Sequence, residues 1–270
     1  PYDVDIKQTD NLGNLTGKTE KLNLRTKQTQ FIDKMVYSNN RGGIAFWGVG
    51  TGKTVLTVIT IRAYLHYYKK GKVVFIAPSG LLSNLIKTLF LFGLDIRDKR
   101  IQYFSFEKYV KTGTDCKNAL LVIDEAHNLR THIDLTSKSE EALKMLREKG
   151  AVNDLDKVRA KKGGRVWAIL KKCSPHASKV LLLTATPLVN TPLDINNLLT
   201  MIDGRQYPTQ TNTFYEIITN KERAEDFLSY RVSHFIRKFD DKDFPERKEN
   251  FLIGKMTEEE TEEYKKVQSL

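Results

Sequence analysis

The run Gly42-Gly-Ile-Ala-Phe-Trp-Gly-Val-Gly-Thr-Gly-Lys-Thr54 constrains this chain more than any other feature. It predicts a short apolar strand, a glycine-rich loop and the first turn of a helix, in that order. Downstream, Val55, Leu56, Val58, Ile59, Ala63, Leu65 and Tyr68 recur at helical spacing. A loop of this kind gathers backbone N–H groups around phosphate oxygens, and the helix N-terminus adds the positive end of its dipole. Gly50, Thr51, Gly52, Lys53 and Thr54 are therefore candidate phosphate-binding residues, with Lys53 reaching the terminal phosphates and the Thr54 hydroxyl ligating Mg2+. The strict pattern has a further glycine five residues before Gly52, and here that position is Trp47. The expectation of bound ATP and Mg2+ thus rests on Gly50-Thr-Gly-Lys-Thr54 and its context.

Continuous apolar runs mark further strands at Lys72 to Ala77, Ala119 to Asp124 and Lys179 to Thr184, and Ile101 to Ser105 is a further strand candidate. Strands that are apolar throughout, separated by helical patterns such as Ser79 to Phe92, predict a mostly parallel sheet with helices on both faces, a doubly wound α/β fold. Asp124-Glu-Ala-His127 follows one of these strands, at the carboxyl edge where open α/β sheets place ligands. Beside a phosphate loop, Asp124 suits Mg2+ and Glu125 suits the polarisation of an attacking water, so Lys53, Asp124 and Glu125 are the catalytic candidates. Thr184-Ala-Thr-Pro187 ends the next strand, and its hydroxyls are placed to hydrogen-bond the acidic motif; as a tetrapeptide alone it reads as a turn before proline.

These strings together match a family. In this order they resemble motifs I, II and III of superfamily 2 helicases, which implies a RecA-like lobe. Leu24-Arg-Thr-Lys-Gln28 is similar to a string that precedes the phosphate loop in the SWI/SNF-like branch, and the resemblance implies that Gln28 reads the adenine edge. Ile76 to Asn84 and Tyr103 to Glu107 resemble strings that contact the nucleic-acid backbone, which makes Ser79 and Ser105 candidates for that role. His127, Thr184 and Thr186 are implied as residues coupling phosphate loss to motion. Within the branch, Trp47 and the Thr191-Pro-Leu string resemble the nucleoside triphosphatase I and early transcription factor small subunits of large cytoplasmic DNA viruses. The implied activity is an ATP-driven translocase on nucleic acid, above all double-stranded DNA, in transcription or DNA handling. A second RecA-like lobe, absent from this sequence, would supply arginine fingers. Without it, hydrolysis is expected to be slower by roughly three to five orders of magnitude. The alternative is a non-enzymatic assembly module of an RNA polymerase or virion complex that keeps a structural nucleotide site.

Composition narrows the remainder. The excess of 44 Lys and Arg over 33 Asp and Glu, a net +11, suits a polyanionic partner. Apolar runs are too short to cross a bilayer, and no leader opens the sequence, so no membrane role is expected. Cys116 and Cys173 show no metal or redox spacing; they read as ordinary thiols in a reducing, intracellular setting, a virion or a viral factory in host cytoplasm included. Three regions follow: residues 1–21 as a polar extended arm, 22–238 as the ATP-binding lobe with a charged insertion at 131–164, and 239–270 as an exit segment of one strand and a helix.

Overall fold

The computed structural model describes residues 5–10, 12–129, 169, 173–186, 195–204 and 216–235. The chain divides into a larger unit, residues 1–236, and a smaller one, 237–270, which holds none of the described residues. The charged insertion at 131–164, the Thr191-Pro-Leu string and the expected strand and helix after residue 250 also lie outside the described residues.

The centre is a six-stranded, all-parallel sheet: β3 (Gly42–Trp47), β4 (Lys72–Ala77), β5 (Ile101–Ser105), β6 (Ala119–Ile123), β7 (Lys179–Thr184) and β8 (Val232–Phe235), in the spatial order β5-β4-β6-β7-β3-β8. The helices are α1 (Thr26–Val36), α2 (Lys53–Tyr67), α3 (Ser79–Leu91), α4 (Phe106–Thr112), α5 (Asn196–Asp203) and α6 (Lys221–Leu228). This is the doubly wound α/β fold predicted from the sequence, and its strand alternation explains why. Val73, Phe75, Ala77, Leu120, Val122, Leu181 and Leu183 pack on one face with Phe31 and Ile32 of α1, Leu56 and Ile59 of α2, and Leu85 and Leu89 of α3. Val74, Ile76, Leu121, Ile123, Val180 and Leu182 fill the other face with Phe106 and Tyr109 of α4 and with Leu198, Leu199 and Ile202 of α5. A strand flanked by helices on both sides cannot alternate apolar and polar, hence the unbroken apolar runs. α2 carries buried residues around most of its circumference, from Leu56 to Leu65, because α1 and α3 flank it over the sheet.

Three features depart from the sequence reading. Residues 5–21, read as an extended arm, fold back as an antiparallel hairpin, β1 (Asp5–Thr9) with β2 (Leu15–Lys21), turned by Asp10 and by Gly13 at φ +83°. Ile6 anchors the hairpin to the core and Lys7 Nζ lies 4.2 Å from the Phe90 ring of α3, whereas every residue of β2 is exposed. Between Thr184 and residue 239 the sequence reading places no strand, whereas β8 lies at Val232–Phe235 and forms the sheet edge beside β3. The cysteines are not free thiols: Cys116 and Cys173 are disulfide-bonded and fully buried. They lie 57 residues apart, but an isolated antiparallel bridge between Lys117 and Ala177, just ahead of the neighbouring strands β6 and β7, brings them together. Spacing could not reveal a pairing that sheet topology creates.

Candidate nucleotide site

The phosphate loop, the acidic motif, Ser79, Ser105 and Thr184 all lie at the carboxyl edge of the parallel sheet. The phosphate loop follows β3, Ser79 follows β4, Ser105 ends β5, Asp124 follows β6 and Thr184 ends β7. Because β7 alone separates β3 from β6, the loop and the acidic motif converge.

The loop is shaped by glycine. Gly50 and Gly52 have φ of +74° and +88°, in the left-handed region that an L side chain occupies only with strain. At Gly52 a Cβ would also stand 2.7 Å from Gln28 Nε2. Gly52 is the N-cap of α2, and among the described residues no side chain caps that helix, so its first amides face the loop. Thr51 is buried and donates its hydroxyl to Gly48 O at 2.7 Å. Thr54, on the first turn, is exposed. Lys53 Nζ donates to Trp47 O at 2.8 Å and to Gly48 O at 3.1 Å. Burial pushes the Lys53 amine below the ordinary lysine value, and the nearby Glu125 and Asp124 carboxylates pull it back up. Lys53, Asp124 and Glu125 therefore feel one another's charge.

The Trp47 side chain takes no part in the cradle, although its carbonyl holds Lys53. Its ring is fully buried, edge-on to Phe31 at 5.9 Å and Phe235 at 5.8 Å, and Nε1 donates to Ser233 Oγ at 3.1 Å. The glycine of the strict pattern is dispensable because this position is the last residue of an interior strand. Gln28 is buried on α1; its Oε1 accepts from Arg25 N at 2.8 Å and its Nε2 donates to Gly52 O at 3.4 Å, which ties α1 to the phosphate loop.

Asp124 extends the β4–β6 ladder by donating its N–H to Ile76 O at 2.9 Å. Burial raises its carboxyl above the ordinary aspartate value and adjacent Glu125 pushes the same way, opposed by the Glu125 N–H and by Lys53. Glu125 itself has φ of +51°, uncommon for a residue with a Cβ. Its N–H donates to Asp124 Oδ1 at 3.0 Å, and its carbonyl accepts from both Asn128 N and Asn128 Nδ2, at 3.0 and 2.9 Å. The sequence reading missed Asn128; only the turn's backbone explains it. His127 Nδ1 lies 3.1 Å from Glu125 Oε2 and 3.3 Å from the buried Thr184 Oγ1, which in turn accepts from Thr186 N at 3.1 Å. The structure thus joins the acidic motif to the Thr-Ala-Thr turn through one imidazole.

Ser79 and Ser105 are on the same edge but do different things. Ser79 is exposed at the start of α3, while the Ser105 side chain accepts from Lys108 N at 3.1 Å as the N-cap of α4.

A family model described as "Type III restriction enzyme, res subunit" matches residues 21–189. The chain belongs to this family. This helicase-like chain is also similar to large-DNA-virus proteins: the termination factor NPH-I homolog of African swine fever virus (isolate Tick/South Africa/Pretoriuskop Pr4/1996), 26% identical over 68% of this chain and 25% of that protein; the putative ATP-dependent RNA helicase L538 of Acanthamoeba polyphaga mimivirus, 25% identical over 74% and 37%; and nucleoside triphosphatase I of Heliothis armigera entomopoxvirus, 22% identical over 70% and 29%. The match spans between a quarter and under two fifths of those relatives. Among solved structures, the Sulfolobus solfataricus SWI2/SNF2 ATPase core in complex with dsDNA aligns with a TM-score of 0.57 at 17% identity, over 82% of this chain and 46% of that one. The fold is that of a superfamily 2 RecA-like lobe.

Proposed function

We propose that this lobe binds and hydrolyses ATP with Mg2+ and serves as the first motor lobe of a translocase on double-stranded DNA, in viral transcription or DNA handling. The observation that carries the reading is the convergence of Lys53, Asp124 and Glu125 on one sheet edge, with Glu125 tied through His127 to Thr184.

The residues fit the nucleotide and metal. The left-handed glycines leave the loop amides approachable, and the uncapped start of α2 favours an anion. Among the described residues no three acidic, His or Cys side chains cluster as a metal cage, which suits Mg2+, an ion that takes one or two carboxylates and completes its shell with phosphates and water. Thr54 and Asp124 would hold it. Bound Mg2+ supplies charge neutralisation on the phosphates.

The chain's own groups supply the rest. Lys53 leaves the carbonyls of Trp47 and Gly48 to pair with phosphate oxygens. Glu125, fixed by Asn128 on one side and His127 on the other, accepts a proton from the attacking water. His127, shared between Glu125 and Thr184, passes the state of the γ-phosphate to the Thr184–Thr186 turn. Gln28 holds the loop and offers its amide to adenine, while Ser79 and the amides around Ser105 offer donors to a phosphate backbone. A second lobe would supply arginine; an RNA polymerase or virion assembly in the cytoplasm is the proposed setting, in keeping with the printed names of the viral relatives.

The test is ATP hydrolysis by the full-length parent protein with and without duplex DNA, in wild type and Glu125→Gln. Stimulation by DNA that vanishes in the variant is expected. Hydrolysis indifferent to both would overturn the reading.

A further inference from the structure

The β8 edge of the sheet, beside β3, carries a second feature that the nucleotide site does not use. A cavity of about 230 Å³ opens between α1 and β8. Its walls include Lys27, Lys34, Tyr230, Arg231 and His234, and no Asp or Glu is among the described residues that line it. Arg231 is held from behind by Asp203 at 2.8 Å and by Phe227 O at 2.8 Å, so it stiffens the wall. Lys27 and Lys34 have no carboxylate partner among the described residues. Each amine instead lies over an aromatic ring, Lys27 Nζ 4.6 Å from Phe235 and Lys34 Nζ 5.6 Å from Tyr230.

Tyr230 is the least expected residue here. It is 76% exposed and has φ of +63°, a conformation normally left to Gly, Asn or Asp. A bulky ring is thus held in solvent, in an unfavourable backbone state, beside the Lys34 amine. The surface continues along α1: Lys27, Gln30, Lys34 and, past the helix end, Tyr37 follow one helical stripe. Tyr37 packs edge-on at 5.2 Å against Tyr67, which is 58% exposed, and Lys69 and Lys70 follow, both exposed.

We propose that this groove is a binding site for single-stranded nucleic acid; it adjoins the phosphate loop at Phe235, whose carbonyl accepts from Gly48 N, but uses residues to which no role in the nucleotide site is given, and it does not rest on the function proposed for that site. From 27 to 34 the helix rises about 10 Å, so one small anion cannot neutralise both lysines, whereas a chain of repeated phosphates can. Exposed rings interleaved with lysines select a ligand with flat faces as well as negative charge, which favours nucleobases over an acidic peptide.

The test is fluorescence anisotropy of a labelled oligothymidylate with the nucleotide-free chain, across a salt series, with hydrogen exchange to locate the contact. Expected are saturable binding and protection of residues 27–34 and 229–234. In Lys27→Ala/Lys34→Ala the slope of log K against log salt should fall by about 1.4, from roughly 0.7 per phosphate contact on a single strand. Tyr230→Asn removes the ring while suiting the left-handed backbone, and should weaken binding by roughly 5-fold to 100-fold. Lys111→Ala/Lys117→Ala, which removes two exposed lysines outside the groove, should leave both slope and groove protection unchanged. The proposal is overturned if wild type does not bind, if the Lys27/Lys34 double variant keeps wild-type affinity and slope, or if protection falls elsewhere. It is also overturned if polyglutamate competes charge for charge while Tyr230→Asn has no effect, which would mark an acidic protein as the occupant.

Discussion

Lys53 and Lys179 are chemically similar and functionally opposite. Each is half-buried or more, each is pushed by burial below the ordinary lysine value, and each donates to two backbone carbonyls. Lys53 reaches Trp47 O and Gly48 O; Lys179 reaches Ser38 O at 2.6 Å and Asn40 O at 2.5 Å. The difference lies in where they stand. Lys53 is at the carboxyl edge, its carbonyl partners are the last residue of β3 and the first of the phosphate loop, and two carboxylates share its field. Lys179 begins β7 at the amino edge, where it and Arg41, which donates to Met201 O, Ile202 O and Ser174 O, tie connecting segments to the sheet. A desolvated lysine is therefore no mark of function in itself; the neighbouring carboxylates and the sheet edge make it one.

The sharpest way to break this contrast is at Glu125. In Glu125→Gln, single-turnover ATP hydrolysis should fall by roughly 10²- to 10⁴-fold with ATP affinity retained; a rate within 2-fold of wild type would remove Glu125 from the chemistry. Next, Lys53→Ala should lose about 2–5 kcal/mol of ATP affinity, since a buried charge pair is truncated, on top of the stability cost of taking a donor from two carbonyls. Lys179→Ala should cost about 1–3 kcal/mol of unfolding free energy as two carbonyls lose their donor, while isothermal titration finds ATP affinity unaltered. If both variants lose affinity equally, the distinction between the two edges fails. Smaller still, Thr184→Val removes one acceptor from His127 and should slow hydrolysis by about 5-fold, near 1 kcal/mol, without changing the melting temperature.

Titration gives the finest test. A lysine depressed in the folded state favours its neutral form there, so its contribution to stability is full above the unfolded value and is lost as pH falls through the folded one. Unfolding free energy should therefore rise with pH just below 10.5, and less steeply in Lys53→Met or Lys179→Met than in wild type. ATP affinity should decline over that same window in wild type and in Lys179→Met, since only Lys53 faces phosphate. Asp124 runs the other way: raised by burial, it is neutral to a higher pH than a free aspartate, so the acid limb of kcat/KM should have its midpoint above 3.8.

Much of this was legible in the chain. The strands β4 and β7 fall where the apolar runs place them, and β6 within one residue, because a strand covered on both faces must be apolar throughout. The phosphate loop was legible because only glycine tolerates its backbone, as φ at Gly50 and Gly52 bears out. The hairpin at 5–21 was not, since an exposed two-stranded ribbon carries hardly any apolar signal. β8 was hidden by its brevity, and Asn128 by serving a carbonyl that no sequence pattern displays.

The sequence by itself determined the parallel α/β class and the chemical identity of the cradle, because strand burial and glycine backbones leave a local imprint. Only the tertiary structure decided which strands are neighbours, and with that the meeting of Lys53 with Asp124 and Glu125, the link from Glu125 through His127 to Thr184, and the pairing of Cys116 with Cys173. Strand order depends on how crossovers pack over long separations, and contacts made at that range leave no periodicity in the chain.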